Sequence, residues 1–509
     1  MRTLKEQLSA DGLSDLEGLD LTPYVQQVLP RQRGHFWGGD WQAGTGGQKF
    51  FSINPSTGEA LTDFTLGTAQ DVDMAVQAAR QAFPAWAATP PLIRGRLLRR
   101  AADIVREHAL ELALIDAADC GNPVKAMQMD AELAATQLEY FAGLVLEAKG
   151  ETLPTGGAAL NYTLREPLGV VARIYPFNHP FMFAAGKMAA PLAAGNTLVL
   201  KPPQQAPLST LRLMELLEGV FPPGVLNCVV GDREVGAALA SHSDVAAVGL
   251  IGSVGAGKAV LRAAGDSMKR SLLELGGKNP LIVYPDADFE AAVDGAVRGM
   301  NFTWCGQSCG STSRLLLHES LHDRFIEALV TLLSRRHRPG IATHMGTTMG
   351  ALIDRTQYDR SMGYIHQAQI EGAWVAYGGK HPVGLENGFF IEPTVLTGVQ
   401  PEHCIAREEV FGPVLSVMRW RDEQEMLQIA NGLEMGLTAS VWTQNLATAH
   451  VVASRLQAGY VWINECSIHT PGAPFGGYKQ SGTGREECLE EMYEFMQVKN
   501  VHVNLRRRA

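Results

Sequence analysis

The sequence predicts an α/β protein made of two successive doubly wound units with a small β element at the periphery. Three observations predict it. The chain has 509 residues, roughly three to four times a common domain length. Between residues 168 and 277 apolar, β-branched stretches alternate with helical ones, as crossover units on a parallel sheet require. After Gly277 a second alternation of the same kind begins. Apolar residues make up 46% and charged residues 19%, enough to fill two cores.

Taken in order, the first 50 residues carry Gly-rich turns at Gly38-Gly39 and Gly44-Thr45-Gly46-Gly47 but no strong periodicity, and read as a short extension. Residues 71–106 and 130–149 are rich in Ala and Leu with charges at helical spacing, which predicts amphipathic packing helices. Strands are predicted at 168–174, 196–200, 225–230, 245–251 and 271–275. Helices such as 182–192 and 209–219 are long enough to cross over that sheet in the right-handed sense. This is a nucleotide-binding layout. The second unit has predicted strands at 280–284, 314–317, 414–418, 439–442 and 461–464. Two peripheral stretches, 160–165 and 501–505, alternate as exposed strands do, and such edges invite pairing with a second subunit.

Charge and cysteine content narrow the function. There are 43 Lys and Arg against 53 Asp and Glu, a formal charge of −10, which disfavours a protein whose main task is to hold nucleic acid phosphates. The Arg506-Arg507-Arg508 tail is too short to reverse that and reads as a solvated terminus. Seven cysteines are spread thinly along the chain, which fits a reducing, cytoplasmic setting rather than a secreted disulfide framework. No Cys-x-x-Cys pair or His cluster has zinc-ligand spacing, so no metal site is predicted. The start of the chain lacks a signal-like apolar core, and no apolar run reaches about 18 residues, so no membrane partner is expected.

Four local features carry chemistry. Gly252-Ser253-Val254-Gly255-Ala256-Gly257-Lys258 follows a predicted strand and opens a predicted helix, where free amides and the helix dipole hold phosphate. As a P-loop it is incomplete, since Ala259 stands where a magnesium-binding Ser or Thr belongs. The bland reading is a tight turn. Cys309, in Gly306-Gln307-Ser308-Cys309-Gly310-Ser311, is a thiol among small residues that let a substrate approach, although an isolated cysteine is usually a small buried hydrophobe. Glu274, in Leu273-Glu274-Leu275-Gly276-Gly277, ends a core strand where sheets carry ligands; an ordinary solvated Glu is the alternative. Asn178, in Tyr175-Pro176-Phe177-Asn178-His179-Pro180, occupies the turn after the first strand, where it is either functional or bonded to its own loop.

Together with Lys201-Pro202-Pro203, Glu409-Val410-Phe411-Gly412-Pro413 and Pro474-Phe475-Gly476-Gly477-Tyr478-Lys479, these motifs recur in an order that resembles the NAD(P)-dependent aldehyde dehydrogenase superfamily from about residue 50 to about 485. The resemblance implies a cofactor-binding domain (1–148 and 168–277), a catalytic domain (278–482) and an oligomerisation arm (149–167 and 496–509), assembled as a homodimer or homotetramer. It implies Cys309 as nucleophile, Glu274 as general base, and Asn178 with the Cys309 amide as oxyanion hole. Lys187 matches a lysine that some relatives place in a proton path, with a plain surface lysine as the alternative. The implied cofactor contacts are Ser253 with Gly252 and Gly257 at the pyrophosphate, Lys201 and Gln204 at the adenosine ribose, Glu409 and Phe411 at the nicotinamide ribose, and Ile174, Pro176, Phe177 and Leu275 along the crevice.

The chemistry asks for these parts independently. An aldehyde hydrogen is a poor hydride donor until its carbon is tetrahedral and carries an oxyanion, so covalent attack precedes oxidation. Two departures bear on specificity. Lys201-Pro202-Pro203-Gln204 replaces a common Lys-Pro-Ser-Glu, removing a carboxylate that would repel a 2′-phosphate, so NADP becomes tolerable although NAD is expected. Gly186 and Thr303 replace aromatic residues of the substrate tunnel while His179, Glu465 and His469 add polar groups, which predicts a roomy, wet pocket and a bulky or polar aldehyde. Cys305 is placed one helical turn from Cys309, and Arg314 is read as structural. The alternatives are a cofactor-independent thiol hydrolase built on Cys309, Glu274 and a lysine, and a catalytically silent structural protein.

Overall fold

Five parallel strands form the centre of an eight-stranded sheet, in the spatial order Leu226–Cys228, Thr197–Lys201, Val170–Ile174, Val245–Gly252 and Arg270–Leu275. The first strand in sequence is therefore central, and the chain direction across the sheet reverses between Val170–Ile174 and Val245–Gly252. Ligands bind at such a reversal, beyond the carboxyl ends of the strands. The protein was described by a computed structural model covering residues 3–10, 12–13 and 15–506, so Arg507 and Arg508 of the basic tail lie outside the described residues.

The central strands are near-continuous apolar runs because helices cover both faces. Val199 faces the core that holds Val72 and Val76 of the helix Ala69–Ala87, and Leu198 and Leu200 face the one that holds Leu192 and Leu211. The first 50 residues are more than an extension. His35–Trp37 and Asp40–Gln42 pair antiparallel at one edge of this sheet, with Phe36 opposite Cys228. At the other edge Gly482–Thr483 returns from the far end of the chain to pair with Leu273 and Glu274. The predicted helix 182–192 is two helices, Pro180–Lys187 and Ala189–Ala194. Pro191 has no N–H to give the Lys187 carbonyl, and its ring crowds that carbonyl, so the helix breaks there.

A seven-stranded sheet carries the second unit, in the order Trp374–Tyr377, Thr394–Thr397, Val414–Trp420, Arg314–His318, Pro280–Val283, Thr438–Trp442 and Tyr460–Ile463. All but the first strand run parallel. The first two strands of this order escaped the sequence reading. Ala159–Pro167 and Met496–Asn504, the alternating stretches, pair antiparallel with Tyr162 opposite Val501, and Thr152–Leu153 completes a three-stranded sheet. Its surface exposes Leu160, Leu164 and Val498. Among the described residues no helix is long and apolar enough to cross a membrane.

Candidate active site

Cys309 sits on the loop between the helix Phe289–Gly299 and the strand Arg314–His318. The loop is pinned from below. Asn279 Nδ2 donates to the carbonyls of Cys309 (2.7 Å) and Ser311 (3.0 Å), while its Oδ1 accepts from the Thr438 amide at 3.0 Å. Cys305 is not one helical turn away. It closes a short 3-10 turn at φ 55° and is followed by Gly306 at φ 66°. A Cβ on Gly306 would stand 2.2 Å from the Gly412 carbonyl oxygen, so only glycine fits this turn. Cys305 is 1% exposed and belongs to the second core.

Glu274 is the penultimate residue of the strand Arg270–Leu275 and is 3% exposed, so the solvated alternative falls. Its carboxyl shares a cavity with the Cys309 thiol, and its Oε1 has no partner. Burial first, then the nearby charges of Glu486 and Glu409, push its pKa up to about 8, against the pull of Cys309 and Lys187. Burial and the adjacent Glu274 carboxylate push the Cys309 thiol upward as well.

Asn178 is 3% exposed in the turn before the helix Pro180–Lys187. Its backbone carbonyl accepts from Asn122 Nδ2 at 2.7 Å, but its side-chain Oδ1 bonds nothing, so it does not serve its own loop. Cys309, Glu274 and Asn178 line one cavity of ≈ 370 Å³. Lys187 reaches the same cavity and is buried, not a surface lysine. It pairs with Glu486 (3.0 Å) and Glu487 (3.6 Å), and Glu486 also holds Arg173 at 2.8 Å. The charges of Glu486 and Glu487 raise the Lys187 pKa although burial opposes them.

The rest of the cavity departs from the sequence reading. Thr303 is absent from its lining, and Glu465 instead pairs with Arg298 at 2.8 Å. The space beside Gly186 is filled, since a Cβ there would meet Gln137 Oε1 at 2.1 Å, and Gln137 itself lines the cavity. Its apolar wall includes Met129, Phe183, Trp304, Trp462 and Phe475, and His179 and His469 stand among its polar groups.

Lys201, Ile174, Gly252 and Leu275 are the last residues of four adjacent parallel strands, with Lys201 opposite Ile174 and Gly252 opposite Leu275 two residues further along. Ser253 caps the 12-residue helix Val254–Gly265, its hydroxyl accepting from the Ala256 amide at 3.2 Å. That helix end presents unpaired amides and a positive dipole. Burial lowers the Lys201 pKa to about 8 against the charge of Asp232. Gln204 Oε1 is buried without a partner. The Phe177 and Phe411 rings meet edge to face at 5.8 Å in the segments following Pro176 and Glu409. Glu409 accepts from the Gly277 amide at 3.3 Å, and burial raises it to about 7. Gly257 plays a packing part, because a Cβ there would stand 2.4 Å from Leu275 Cδ1. Unpartnered Gln204, the capped helix end and the strand ends suit a dinucleotide: hydroxyl acceptor, phosphate cradle and crevice.

Sequence reasoning missed Asn122, Asp130, Asn279, Glu486 and Glu487. Asp130 lay in a segment read as packing, and its partner is 49 positions away. Asn279 carries a signal in hindsight, as an Asn just beyond Gly276-Gly277; Glu486 and Glu487 carry none.

The sequence model of the aldehyde dehydrogenase family matches residues 41–501. The chain is 48% identical over 491 residues, 95% of each chain, to aldehyde dehydrogenase tropH of Talaromyces stipitatus. It superposes on the NAD+ complex of aldehyde dehydrogenase from Bacillus cereus with a TM-score of 0.92 at 39% identity, covering 96% of this chain and 100% of that one. PnpE from Pseudomonas sp. WBC-3, solved in complex with nicotinamide adenine dinucleotide, matches with a TM-score of 0.91 at 40% identity over 94% of this chain and 99% of that one.

Proposed function

The chain belongs to the aldehyde dehydrogenase family, and from that premise we propose that it oxidises an aldehyde to the carboxylic acid with NAD, through covalent attachment to Cys309. The observation that carries this reading is that Cys309, Glu274 and Asn178 line one cavity. Two of the three residues have polar oxygens with no protein partner, and an unpaired buried oxygen is costly unless a ligand meets it.

The steps follow from these groups. Cys309 attacks the aldehyde carbon once its proton has passed to Glu274, and the new alkoxide is met by Asn178 Nδ2 and the Cys309 amide. Bound nicotinamide would supply the hydride acceptor. The hydride leaves the thiohemiacetal carbon, and a thioester to Cys309 remains. Glu274, as carboxylate, takes a proton from water as that water attacks the thioester; the acid departs and the thiolate is restored. Lys187 and Glu486, behind Glu274, carry the proton outward. Lys201 and Gln204 hold the adenosine ribose, Ser253 the pyrophosphate, and Glu409 with Phe411 the nicotinamide ribose. The amide at Gln204 has no charge to repel a 2′-phosphate, so NADP is accepted more weakly than NAD rather than excluded.

Residues 149–167 and 496–509 serve as the arm that joins subunits in a homodimer or homotetramer, supported by the apolar side chains on their sheet. Seven unpaired cysteines support a reducing, cytoplasmic setting. The substrate is bulky or polar, in keeping with a cavity that combines rings with histidines.

Purified protein mixed with an aldehyde and NAD should generate the near-ultraviolet absorbance of reduced nicotinamide. Cys309→Ala should abolish that signal, on the order of 10⁴-fold or more. Release of acid from an ester, amide or nitrile, with no nicotinamide reduced by any aldehyde, would establish a thiol hydrolase instead.

A further inference from the structure

Two histidines of the cavity are wired alike. His179 Nδ1 lies 2.7 Å from Oδ2 of Asp130, a side chain 1% exposed. His469 Nδ1 lies 3.0 Å from Oε2 of Glu487. Lys187, 3.6 Å away, holds Glu487 as a carboxylate. An ionised carboxylate only accepts hydrogen bonds, so a neutral imidazole beside it carries its proton on Nδ1 and is left with a basic lone pair on Nε2. Neither Nε2 bonds a protein group among the described residues, and both rings line the cavity onto which Cys309 opens.

Each imidazole also has an unsatisfied polar neighbour in the same wall. The Trp304 ring lies 5.6 Å from His179, and its Nε1–H is buried without a partner. Ser467, two positions from His469, leaves its hydroxyl unbonded. An acceptor beside a donor is what a hydroxyl group requires, one for its hydrogen and one for its oxygen. The surroundings are flat: Phe183 packs 5.5 Å from His179, and Phe475 packs 4.5 Å from His469.

Resting on the aldehyde-oxidising reading above, we propose that the substrate is a hydroxylated aromatic aldehyde, its ring hydroxyl donating to a carboxylate-backed Nε2 of His179 or His469. Asp130 and Glu487 are positioning residues that fix each ring and its tautomer. An acidic hydroxyl suits the pair in either charge state. If its proton crosses, the O–H bond breaks, an Nε2–H bond forms, and the imidazolium donates back to the phenolate. An alkyl aldehyde or a quaternary ammonium has no hydrogen to offer Nε2 and, by covering it, leaves it unpaired, and a site built to bond a hydroxyl rejects such analogues.

The test is a panel of hydroxybenzaldehydes with their methoxy counterparts, benzaldehyde and an alkyl aldehyde, assayed with NAD and NADP. In the parent, kcat/KM should favour the hydroxyl over the methoxy compound by about tenfold or more, the value of one good hydrogen bond. In the double variant His179→Phe, His469→Phe that ratio should collapse toward unity, chiefly through KM. Asp130→Asn should lower it part of the way, because the ring remains but its anchor no longer carries charge. A ratio is immune to partial misfolding, which lowers both rates alike. A parent that oxidises aldehydes without regard to the hydroxyl, or a double variant that keeps the ratio, overturns the proposal and leaves the general activity standing. Oxidation of no aldehyde with either nucleotide overturns both.

Discussion

Arg314 and Asn279, which flank the Cys309 loop, treat hydrogen bonding in the opposite way from Glu274 and Asn178. Three nitrogens of Arg314 each donate to a backbone carbonyl, those of Lys278 (2.7 Å), Ile429 (2.8 Å) and Ala430 (2.9 Å). Asn279 ties the Cys309 loop to the strand Thr438–Trp442 with three bonds of its own. Glu274 Oε1 and Asn178 Oδ1, equally buried, bond no protein group. The first pair converts polar capacity into rigidity. The second leaves it open to the cavity, while Asn279 of the first holds the Cys309 loop beside it.

The sharpest break of that comparison is Asn178→Ala. If the Asn178 amide meets an alkoxide, its loss should lower turnover by about 100- to 1000-fold while the protein stays folded with an unchanged or higher melting temperature, since an unpaired buried amide is removed. Steady-state kinetics beside a thermal melt reads both. Near-normal turnover would put Asn178 with the structural group.

Arg314→Ala should do the reverse. Three carbonyls lose a donor, and the expected cost is roughly 2–4 kcal/mol of stability, visible as a lower urea midpoint. Protein that remains folded should keep most of its turnover. Arg314→Lys should recover only part of the loss, because one ammonium cannot reach three carbonyls set out for a planar fork. Unchanged stability with lost turnover would move Arg314 into the reacting group.

The same contrast explains what the sequence revealed. The strands 168–174 and 245–251, the helix opening at Ser253 and the residues Cys309, Glu274 and Asn178 were legible because each depends on a short local pattern: an apolar run, a glycine turn, a motif in order. Resemblance supplied their roles. What stayed hidden depends on distant pairing. Asp130 meets His179 across 49 positions, and Arg173 meets Glu486 across 313. No periodicity marks such partners. Gly186 shows the limit from the other side: an absent side chain suggested empty space, and only the packed fold reveals Gln137 in it.

The mildest effect is the most diagnostic of the open group, because it asks whether Glu274 costs the fold something. Its carboxyl is raised from the ordinary 4.5 to about 8, with burial as the first cause. A group that holds its proton more tightly when folded contributes stability that is fully present below the unfolded pKa and is lost as pH rises through the folded one. Above about pH 8 the parent therefore holds a buried carboxylate that Glu274→Gln does not, and the variant should be the more stable by about 1 kcal/mol or more, a gap that closes below about pH 4. Parent turnover should climb over the same interval, by up to about tenfold per pH unit until it levels off near pH 8, while the variant, without a base for the thiol or the water, should form its first equivalent of reduced nicotinamide slowly and then stall with its thioester unhydrolysed. Urea midpoints across pH, set beside a stopped-flow burst, measure both. A variant less stable than the parent at alkaline pH would mean that Glu274 belongs with Arg314, as a member of the scaffold.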